Sequence, residues 1–562
     1  MTRPFPAIDD ALGRAAARLP DWPVPAPDGL AATLDDLGWR TAPEGLARLA
    51  AACGLLALLA FPALAVAPLV GLVAVTYAVA VGYAVLRVPD LALALHGSRV
   101  VGSGPAFVAR LALRVRLDPS AEAAAAFAAR TGDGPLAEAL ARRIRATAGT
   151  PETALDAVTD DLSDPGLRRA VALVHAAVET PAADRGRVLD RALAAARDAT
   201  ERHVREGVRA VRGPVNAVYA FGVVLPLALV GLVPVAPAAG VALPLGTVAL
   251  VYDVFLPLAL VGAAAWVLAH RPAVFPAGRA DTAAGVDRRR AAGLGLGAAL
   301  LAAVGTLVLD VAWALPVAAP CCGVGVALAV AARPAVDLDD HARAVSVGLP
   351  DAVAVVGRRL AGGDPPETAV AAAGTTIPGP TGELFAAADR TRRALGRPLE
   401  DAFFGRHGVV GPEHGTRVSG TLGLLLDAAS GGRAGGRVLA EVADGLDAVQ
   451  RLENDARADL ADLADTLVRT GGLFAPVVAG VTVTLAGHVG SLEDATGSVL
   501  PVASLGLVVG VYVAWSAVVL TALGVCLDGG VRRAQLAFRV GTALASAGAC
   551  YACAAAAAAL LL

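Results

Sequence analysis

The histidines of this chain are the first residues to examine for metal binding or acid–base catalysis. No histidine stands at zinc-site spacing from another histidine or from a cysteine. The nearest pair, His407 and His414, is separated by a Gly-rich segment. We therefore interpret all eight histidines as surface or capping residues: His96, His175, His203, His270, His341, His407, His414 and His488.

The cysteines all lie in apolar stretches, which predicts small buried side chains rather than a disulfide framework. Cys550 and Cys553 have the spacing of a redox pair, but they lie in an Ala-rich terminal stretch. Adjacent Cys321 and Cys322 have the same interpretation. We expect no metal site, no cofactor and no catalytic residue.

Asp253 is the one carboxylate inside an uninterrupted apolar stretch. Ionisable residues within a membrane are functional candidates. Tyr252-Asp253 resembles half of an intramembrane aspartyl protease site, but the Gly-x-Gly-Asp half is absent from the sequence. Two interpretations stay open: Asp253 reaches water or bonds to its own helix, or it contacts a partner's helix or a neighbouring one.

The basic residues of the chain limit the ways in which it could bind or transfer a phosphate group. The chain has no Lys, so all 47 residues in the Lys and Arg total are Arg. This excludes a Walker A phosphate loop and a Schiff-base lysine. The Gly-rich stretch 431–436 precedes a predicted helix, whose N-terminus could bind phosphate. Without a Lys or a preceding strand, we interpret it as a flexible loop.

The composition is that of a membrane protein. Of 562 residues, 56% are hydrophobic and only 17% charged, with a mean hydropathy of +0.63; soluble domains are about 25% charged. The net charge of −3 does not indicate nucleic-acid binding. The first apolar run follows 48 polar, Pro-rich residues, so we expect no cleavable signal peptide.

Apolar stretches of about 20 residues predict membrane spans, and we expect about nine of them. The predicted order is an N-terminal cytosolic segment (1–48), a membrane hairpin (49–86), a cytosolic block (87–212), four spans with a cytosolic loop at 271–290 (213–332), a second cytosolic block (333–469) and three spans (470–562).

The arginines predict the orientation, because cationic loops stay in the cytoplasm. With both polar blocks inside, every Arg is cytoplasmic or, for Arg539, near the inner end of the last span. The outer loops then hold only Asp310, Glu493 and Asp494. We expect a multi-pass cell-membrane protein with its N-terminus in the cytoplasm and its C-terminus outside.

An internal repeat relates the two polar blocks. Pro135 and Glu138 correspond to Pro380 and Glu383 at an offset of 245 residues, and Gly186-Arg187 corresponds to Gly436-Arg437 at an offset of 250. Both blocks are rich in Ala, Leu, Arg and Glu, and neither sustains strand-like alternation. The predicted fold class is therefore all-α: a polytopic helical membrane protein with two homologous cytosolic helical-bundle domains.

The last helix of each block carries an apolar stripe at helical spacing. One interpretation is a pair of domain-core helices. The other adds that each helix continues to the bilayer and transmits displacement as a stiff rod. In the second block the stripe is Val438, Val442, Leu446, Val449, Leu452, Ala456, Leu460, Leu463 and Leu467.

The second block resembles the type II secretion system F-domain family, the integral-membrane platform proteins of pilus and secretion machines. The resemblance rests on Gly379-Pro380 with Glu383, on Gly396-Arg397-Pro398, on Gly436-Arg437 and on Phe474-Ala475-Pro476. Block one is similar but less well preserved. Two copies and nine spans resemble the archaeal branch, which serves archaella and type IV-like pili.

The resemblance implies a non-enzymatic platform. Such proteins couple a cytosolic hexameric ATPase to the assembly of pilin-like subunits, and the other implied partners are membrane lipids and a second copy of the chain. The contact candidates are Pro135, Glu138, Pro380, Glu383, Gly396, Arg397, Pro398, Gly436, Arg437 and Asp253. The alternative is a polytopic transporter or permease, which should concentrate polar groups and broken helices at mid-membrane.

Overall fold

The computed structural model describes residues 5–60, 68–132, 134–146, 151–233, 244–270, 288–411, 414–492, 502–529 and 533–561. Throughout these ranges the chain forms helices joined by turns, without a β-strand. Eight helices are long and apolar enough to cross a membrane. The all-α, polytopic membrane class is therefore confirmed.

In the described ranges, the first half contains twelve α-helices and two π-helical turns. In chain order they are α1 (Pro6–Ala16), α2 (Leu30–Leu37), α3 (Pro43–Ala60), α4 (Pro68–Leu117), α5 (Ala121–Thr131), α6 (Pro135–Ala146), α7 (Pro151–Asp160), α8 (Pro165–Glu179), α9 (Ala182–Tyr219), π1 (Ala220–Val224), α10 (Leu225–Val230), α11 (Leu245–Leu250), π2 (Val251–Phe255) and α12 (Leu256–His270).

The second half follows the order that runs from α3 to α10 in the first half, and it ends with two long helices. Its elements are α13 (Arg288–Val308), a 3₁₀ turn (Ala312–Ala314), α14 (Leu315–Gly362), α15 (Pro366–Thr376), α16 (Gly379–Leu395), α17 (Leu399–Phe404), α18 (Gly415–Ser430), α19 (Gly432–Arg469), π3 (Thr470–Phe474), α20 (Ala475–Leu492), α21 (Val502–Gly529) and α22 (Arg533–Leu561).

The eight candidate spans are one fewer than the nine predicted, and the difference lies in the N-terminal hairpin. α3 is the first helix of that hairpin, and it is not among the eight candidates. Residues 61–67 lie outside the described ranges, as do most of the predicted loop 271–290 and the predicted outer residues Glu493 and Asp494.

The sequence repeat is matched by the helix boundaries. α5 and α15 begin and end 245 residues apart, and α9 and α19 begin and end 250 residues apart. Gly134 and Gly379, which precede the paired prolines of α6 and α16, both have positive φ angles of 96° and 76°. Glycine adopts this left-handed region without a Cβ clash, so the two copies start this helix with the same backbone.

The boundaries predicted at residues 87 and 333 fall inside continuous helices. α4 runs for 50 residues, about 75 Å at the α-helical rise, and passes through Pro89 and Pro105. α14 runs for 48 residues and passes through three prolines, including Pro334 and Pro350. An interior proline removes one backbone hydrogen bond and its ring crowds the preceding turn, yet both helices continue through these positions.

Each polar block encloses its own apolar cluster. In the first block, Phe107, Leu140 and Leu189 are among the buried residues, and in the second, Phe385 and Phe403 are fully buried. Burial of such side chains contributes roughly 1.5–3 kcal/mol each. A third, larger cluster joins the C-terminal parts of α9 and α19 to the apolar helices.

The two blocks also contact each other. Leu113 and Phe127 of the first block pack with Leu424 and Val442 of the second. The Arg116 guanidinium forms ion pairs with Asp190, at 2.6 Å, and with Glu441 of α19. By count from the sequence, residues 87–212 have 19 Arg and 16 acids (+3) and residues 333–469 have 15 Arg and 20 acids (−5), so a contact between them is electrostatically favourable.

The N-terminal segment folds onto α3 and α4. Leu30, Leu34 and Leu37 of α2 are buried with Leu46 of α3 and Ala92 of α4. Asp9 joins the segment's two ends, because its carboxylate accepts hydrogen bonds from the Thr41 amide and the Thr41 hydroxyl, at 3.1 and 2.6 Å.

Candidate functional site at the helix–span junctions

Among the residues that the structure describes, three π-helical turns lie within the apolar part. π1 follows α9, π3 follows α19, and π2 interrupts the span formed by α11 and α12. π1 and π3 are 250 residues apart, the same offset as the helices that precede them. π turns inside α-helices are often found at functional sites, so these junctions are the candidate site.

A proline follows each π turn. Pro226, Pro257 and Pro476 are each the second residue after a π turn. A helical proline has no N–H for the carbonyl four residues earlier, and its ring clashes with that carbonyl. The widened turn makes room for the ring. The carbonyls that lose their α-helical partner are those of Gly222, Asp253 and Gly472.

At the first junction a tyrosine replaces the missing donor. The Tyr512 hydroxyl of α21 donates a hydrogen bond to the Gly222 carbonyl oxygen. The Tyr252 hydroxyl of π2 donates to the Pro226 carbonyl oxygen at 2.6 Å. The two tyrosine rings meet edge to face, with centroids 5.6 Å apart. One side-chain-to-backbone bond therefore joins α21 to π1, and the other joins π2 to α10.

Asp253 lies in π2, next to Tyr252. Its Oδ1 atom is buried and has no hydrogen-bond partner among the described residues. A buried carboxylate oxygen without a hydrogen-bond donor carries a free-energy cost. Protonation of the carboxyl, or a donor supplied by a partner, would lower that cost. Both interpretations of Asp253 stay open.

At the third junction, π3 contacts its neighbouring helices through closely packed glycines rather than through side-chain hydrogen bonds. A Cβ on Gly471 would lie 3.2 Å from the Ala517 Cα atom and 3.3 Å from the Ser516 carbonyl oxygen of α21. A Cβ on Gly472 would lie 3.6 Å from Ala543 of α22. π3 is thus held directly against two spans.

The motif residues predicted to make contacts do not converge on one site. Pro135 and Glu138 begin α6, while Pro380 and Glu383 begin α16 in the other block. Both glutamates are exposed. Each pair therefore occupies an equivalent surface of its own block.

The remaining motif residues divide into exposed and packed ones. Gly396, with φ 60°, Arg397 and Pro398 form the exposed turn between α16 and α17, and Arg397 pairs with Asp401 at 3.3 Å. Gly436 is buried, and a Cβ there would lie 2.8 Å from the Gly357 carbonyl oxygen of α14. Gly436 is therefore explained by helix packing. Arg437 beside it is exposed.

The histidines and cysteines show no metal-binding arrangement in the part of the chain that the structure describes. The His341 and His414 rings lie 6.2 Å apart. Cys321, Cys322 and Cys526 are buried, as predicted, whereas Cys53 and Cys550 are half-buried and Cys553 is exposed. The prediction of buried cysteines is thus wrong for Cys553, which lies at an exposed position of α22.

Sequence reasoning missed Tyr512, Tyr252 as a hydrogen-bond donor, and the three proline junctions. The sequence feature that could have revealed two of these junctions is the pair Pro226 and Pro476, which keeps the repeat offset of 250.

No family model, curated protein or solved structure matches this chain.

Proposed function

We propose that this protein is the non-enzymatic membrane platform of a type IV-like pilus, an archaellum or a type II secretion-like machine. In this role residues 87–212 and 333–469 are two F domains, and the chain couples a cytosolic hexameric ATPase to the assembly of pilin-like subunits. The resemblance of the second block to the F-domain family is the sequence basis of the proposal.

The observation that carries the proposal is the continuity of α9 and α19. We call these two the lever helices. Each runs for 38 residues along a polar block and then enters an apolar span through a π turn without a loop. A force applied to a block therefore has a helical path to the membrane, which suits a machine driven by a separate motor.

The energy source in this proposal is the partner. The chain has no Lys and hence no Walker A loop, so nucleotide turnover is assigned to the ATPase. Membrane lipids surround the apolar helices, and a second copy of the chain is a further partner. The proposed orientation, with the N-terminus in the cytoplasm and the C-terminus outside, gives the ATPase access to both blocks.

A transporter is the second candidate, and the junctions are the observation that favours it. Transporters use broken helices and polar groups within the membrane, and this chain has three π turns and the buried Asp253 oxygen there. We prefer the platform because a π turn continues the lever helix at both repeat positions, whereas a transport site needs only one such junction.

Deletion of the gene in its host tests the choice. The platform predicts loss of surface filaments or of a secreted substrate, restoration by the wild-type gene, and co-purification with the host's secretion ATPase. Intact filaments and secretion together with loss of uptake of a solute would reject the platform in favour of the transporter.

A further inference from the structure

The helices α4 and α6 of the first block pack side by side. A Cβ on Gly134, the residue before α6, would lie 3.1 Å from the Ser103 Cβ atom of α4. Further along α6, the charges of Glu138 and Arg142 both act on His96 of α4. Because His96 precedes Ser103 whereas Glu138 and Arg142 follow Gly134, the two helices run in opposite directions along this contact.

This packing brings three basic side chains together. His96 and Arg99 stand one turn apart on α4, and the charges of Arg99 and Arg142 both act on the imidazole. All three residues are half-buried, so their charges are screened less than charges in open solvent. Among the described residues, Glu138 is the acid that acts on this imidazole. With both arginines charged, the group therefore has a net positive charge.

The Arg142 guanidinium has a buried donor without an acceptor. Its Nη2 atom is shielded from solvent and has no hydrogen-bond partner among the described residues. A buried donor of a charged group that lacks an acceptor carries a free-energy cost. An anion between α4 and α6 would supply that acceptor and would also reduce the repulsion among the basic groups.

The N-terminal segment holds Arg99 from one side. The Arg99 Cζ atom lies over the Phe5 ring, 4.7 Å from the ring centroid. Such stacking uses the flat face of a guanidinium, whereas its N–H donors lie in the guanidinium plane. The Phe5 contact therefore positions Arg99 without using its hydrogen-bond donors.

The internal repeat shows that the fold does not require these two arginines. His96 corresponds to His341, and Pro105 corresponds to Pro350, at the offset of 245 that also relates α6 to α16. At the same offset, alanines take the places of the arginines: Ala344 for Arg99 and Ala387 for Arg142. Since the second block forms the corresponding helices with alanines, the arginines of the first block are free to serve a ligand.

We infer that His96, Arg99 and Arg142 bind a phosphate group, and we name these three residues the basic cluster. A guanidinium can donate two parallel hydrogen bonds to two oxygens of a phosphate. Donors that approach from two helices suit a tetrahedral anion better than a flat carboxylate. The net positive charge of the cluster attracts a dianion and disfavours a cation.

The phosphate group could belong to a soluble compound or to a lipid headgroup. Nine residues separate His96 from Arg87, the first charge after the apolar stretch 49–86, and this is about 14 Å at the α-helical rise. The headgroup layer on each side of a bilayer is about 5–7 Å thick. In the predicted topology the basic cluster thus lies in the cytoplasm beyond the headgroups, and we expect a soluble phosphate compound.

Calorimetric titration of the purified full chain with inorganic phosphate tests the site, with chloride at equal ionic strength as the reference. We expect Arg142→Ala to weaken phosphate binding about tenfold or more, the effect of one lost charge-assisted contact. Replacement of both Arg99 and Arg142 by Ala should abolish it. Arg169→Ala, which removes an exposed arginine of α8, is the matched control and should leave binding unchanged.

Thermal unfolding separates ligand binding from a structural role of Arg142. Phosphate should raise the melting temperature of the wild type but not that of Arg142→Ala, because only a protein that binds the anion is stabilised by it. In chloride alone, the variant should melt no lower than the wild type, since one of the mutually repelling charges is gone. A variant that melts lower by the same amount in both buffers means that Arg142 only supports α6, and overturns the site.

Vesicles that contain phosphatidic acid test the lipid source. Mass spectrometry counts the lipid that stays bound after extraction of the full chain. Retention that Arg142→Ala abolishes and Arg169→Ala does not, without a response to inorganic phosphate, supports the site and assigns the phosphate to a headgroup. Equal effects of the two variants on both ligands, or no binding of either ligand, overturn the proposal. These results do not depend on the platform function.

Discussion

The Tyr512 hydroxyl donates its hydrogen bond to the Gly222 carbonyl oxygen, across 290 positions of sequence. In a regular α-helix the Gly222 carbonyl oxygen would accept a hydrogen bond from the amide of residue 226, but Pro226 has no amide hydrogen. The bond therefore joins the π turn that continues the first lever helix to a span of the second half, at a backbone carbonyl that has lost its α-helical donor.

Tyr512→Phe should destabilise the protein by about 1 kcal/mol, the usual range for a hydrogen bond in a membrane protein. Resistance of the purified protein to unfolding in mixed micelles measures the effect. Tyr219→Phe is the control, because its ring is 39% exposed. Since Pro226→Ala restores the missing amide, the cost of Tyr512→Phe should shrink in that background; an unchanged cost would contradict the proline account.

Gly325→Leu should destabilise the α14–α22 pair by about 1–3 kcal/mol or more, because a side chain there has no space. Its Cβ would lie 2.5 Å from the Ala545 nitrogen. Gly297→Leu is the matched control on α13, where a Cβ meets nothing within 4 Å. Thermal unfolding in detergent compares the two, and equal melting temperatures would rule out the close contact.

The Arg116–Glu441 ion pair should hold the two blocks together in a salt-dependent way. With cysteines at positions 113 and 442 on a cysteine-free background, we expect a disulfide to form between the blocks. Glu441→Gln should lower its rate, and so should 1 M salt, at which the screening length is about 3 Å. Asp444→Asn, at an exposed position, should not; absence of any disulfide would place the blocks apart.

Ala458→Pro should uncouple α19 from its span. The position is exposed in mid-helix, and an interior proline costs about 3 kcal/mol. Filaments should be lost while membrane insertion and binding of the ATPase persist, since the spans and most of the block are unchanged. Ala458→Leu keeps the helix and is the control. Normal filaments in the proline variant would rule out a rigid lever.

The orientation is tested by single cysteines on a cysteine-free background. Asp310→Cys, in the turn before α14, should react with a membrane-impermeant thiol reagent added outside intact cells. Arg289→Cys, at the start of α13, should react only after the membrane is opened, because arginine-rich segments stay in the cytoplasm. The reverse pattern would invert the topology.

The repeat was predictable from sequence because its motifs keep their order, as with Pro135 and Pro380. Helix boundaries were less predictable, since Pro89 and Pro334 look like breaks but lie inside long helices. Asp253 could be singled out by its charge in an apolar stretch. Its neighbours could not, because the contacts of Tyr252 and Tyr512 depend on how distant helices pack, and neither residue stands out by type.

Along their polar blocks the two halves differ in length only between the starts of α6 and α16 and the starts of α8 and α18. The offset is 245 at Pro135 and Pro380, 247 at Pro151 and Pro398, and 250 from the starts of α8 and α18 to Pro226 and Pro476. Five residues were thus accommodated among short helices, and none along the lever helix and its π turn. One residue more or less in this stretch would rotate the following span by about 100° about the helix axis. The length of the lever helix and its π turn is therefore constrained, whereas the loops before it can vary in length.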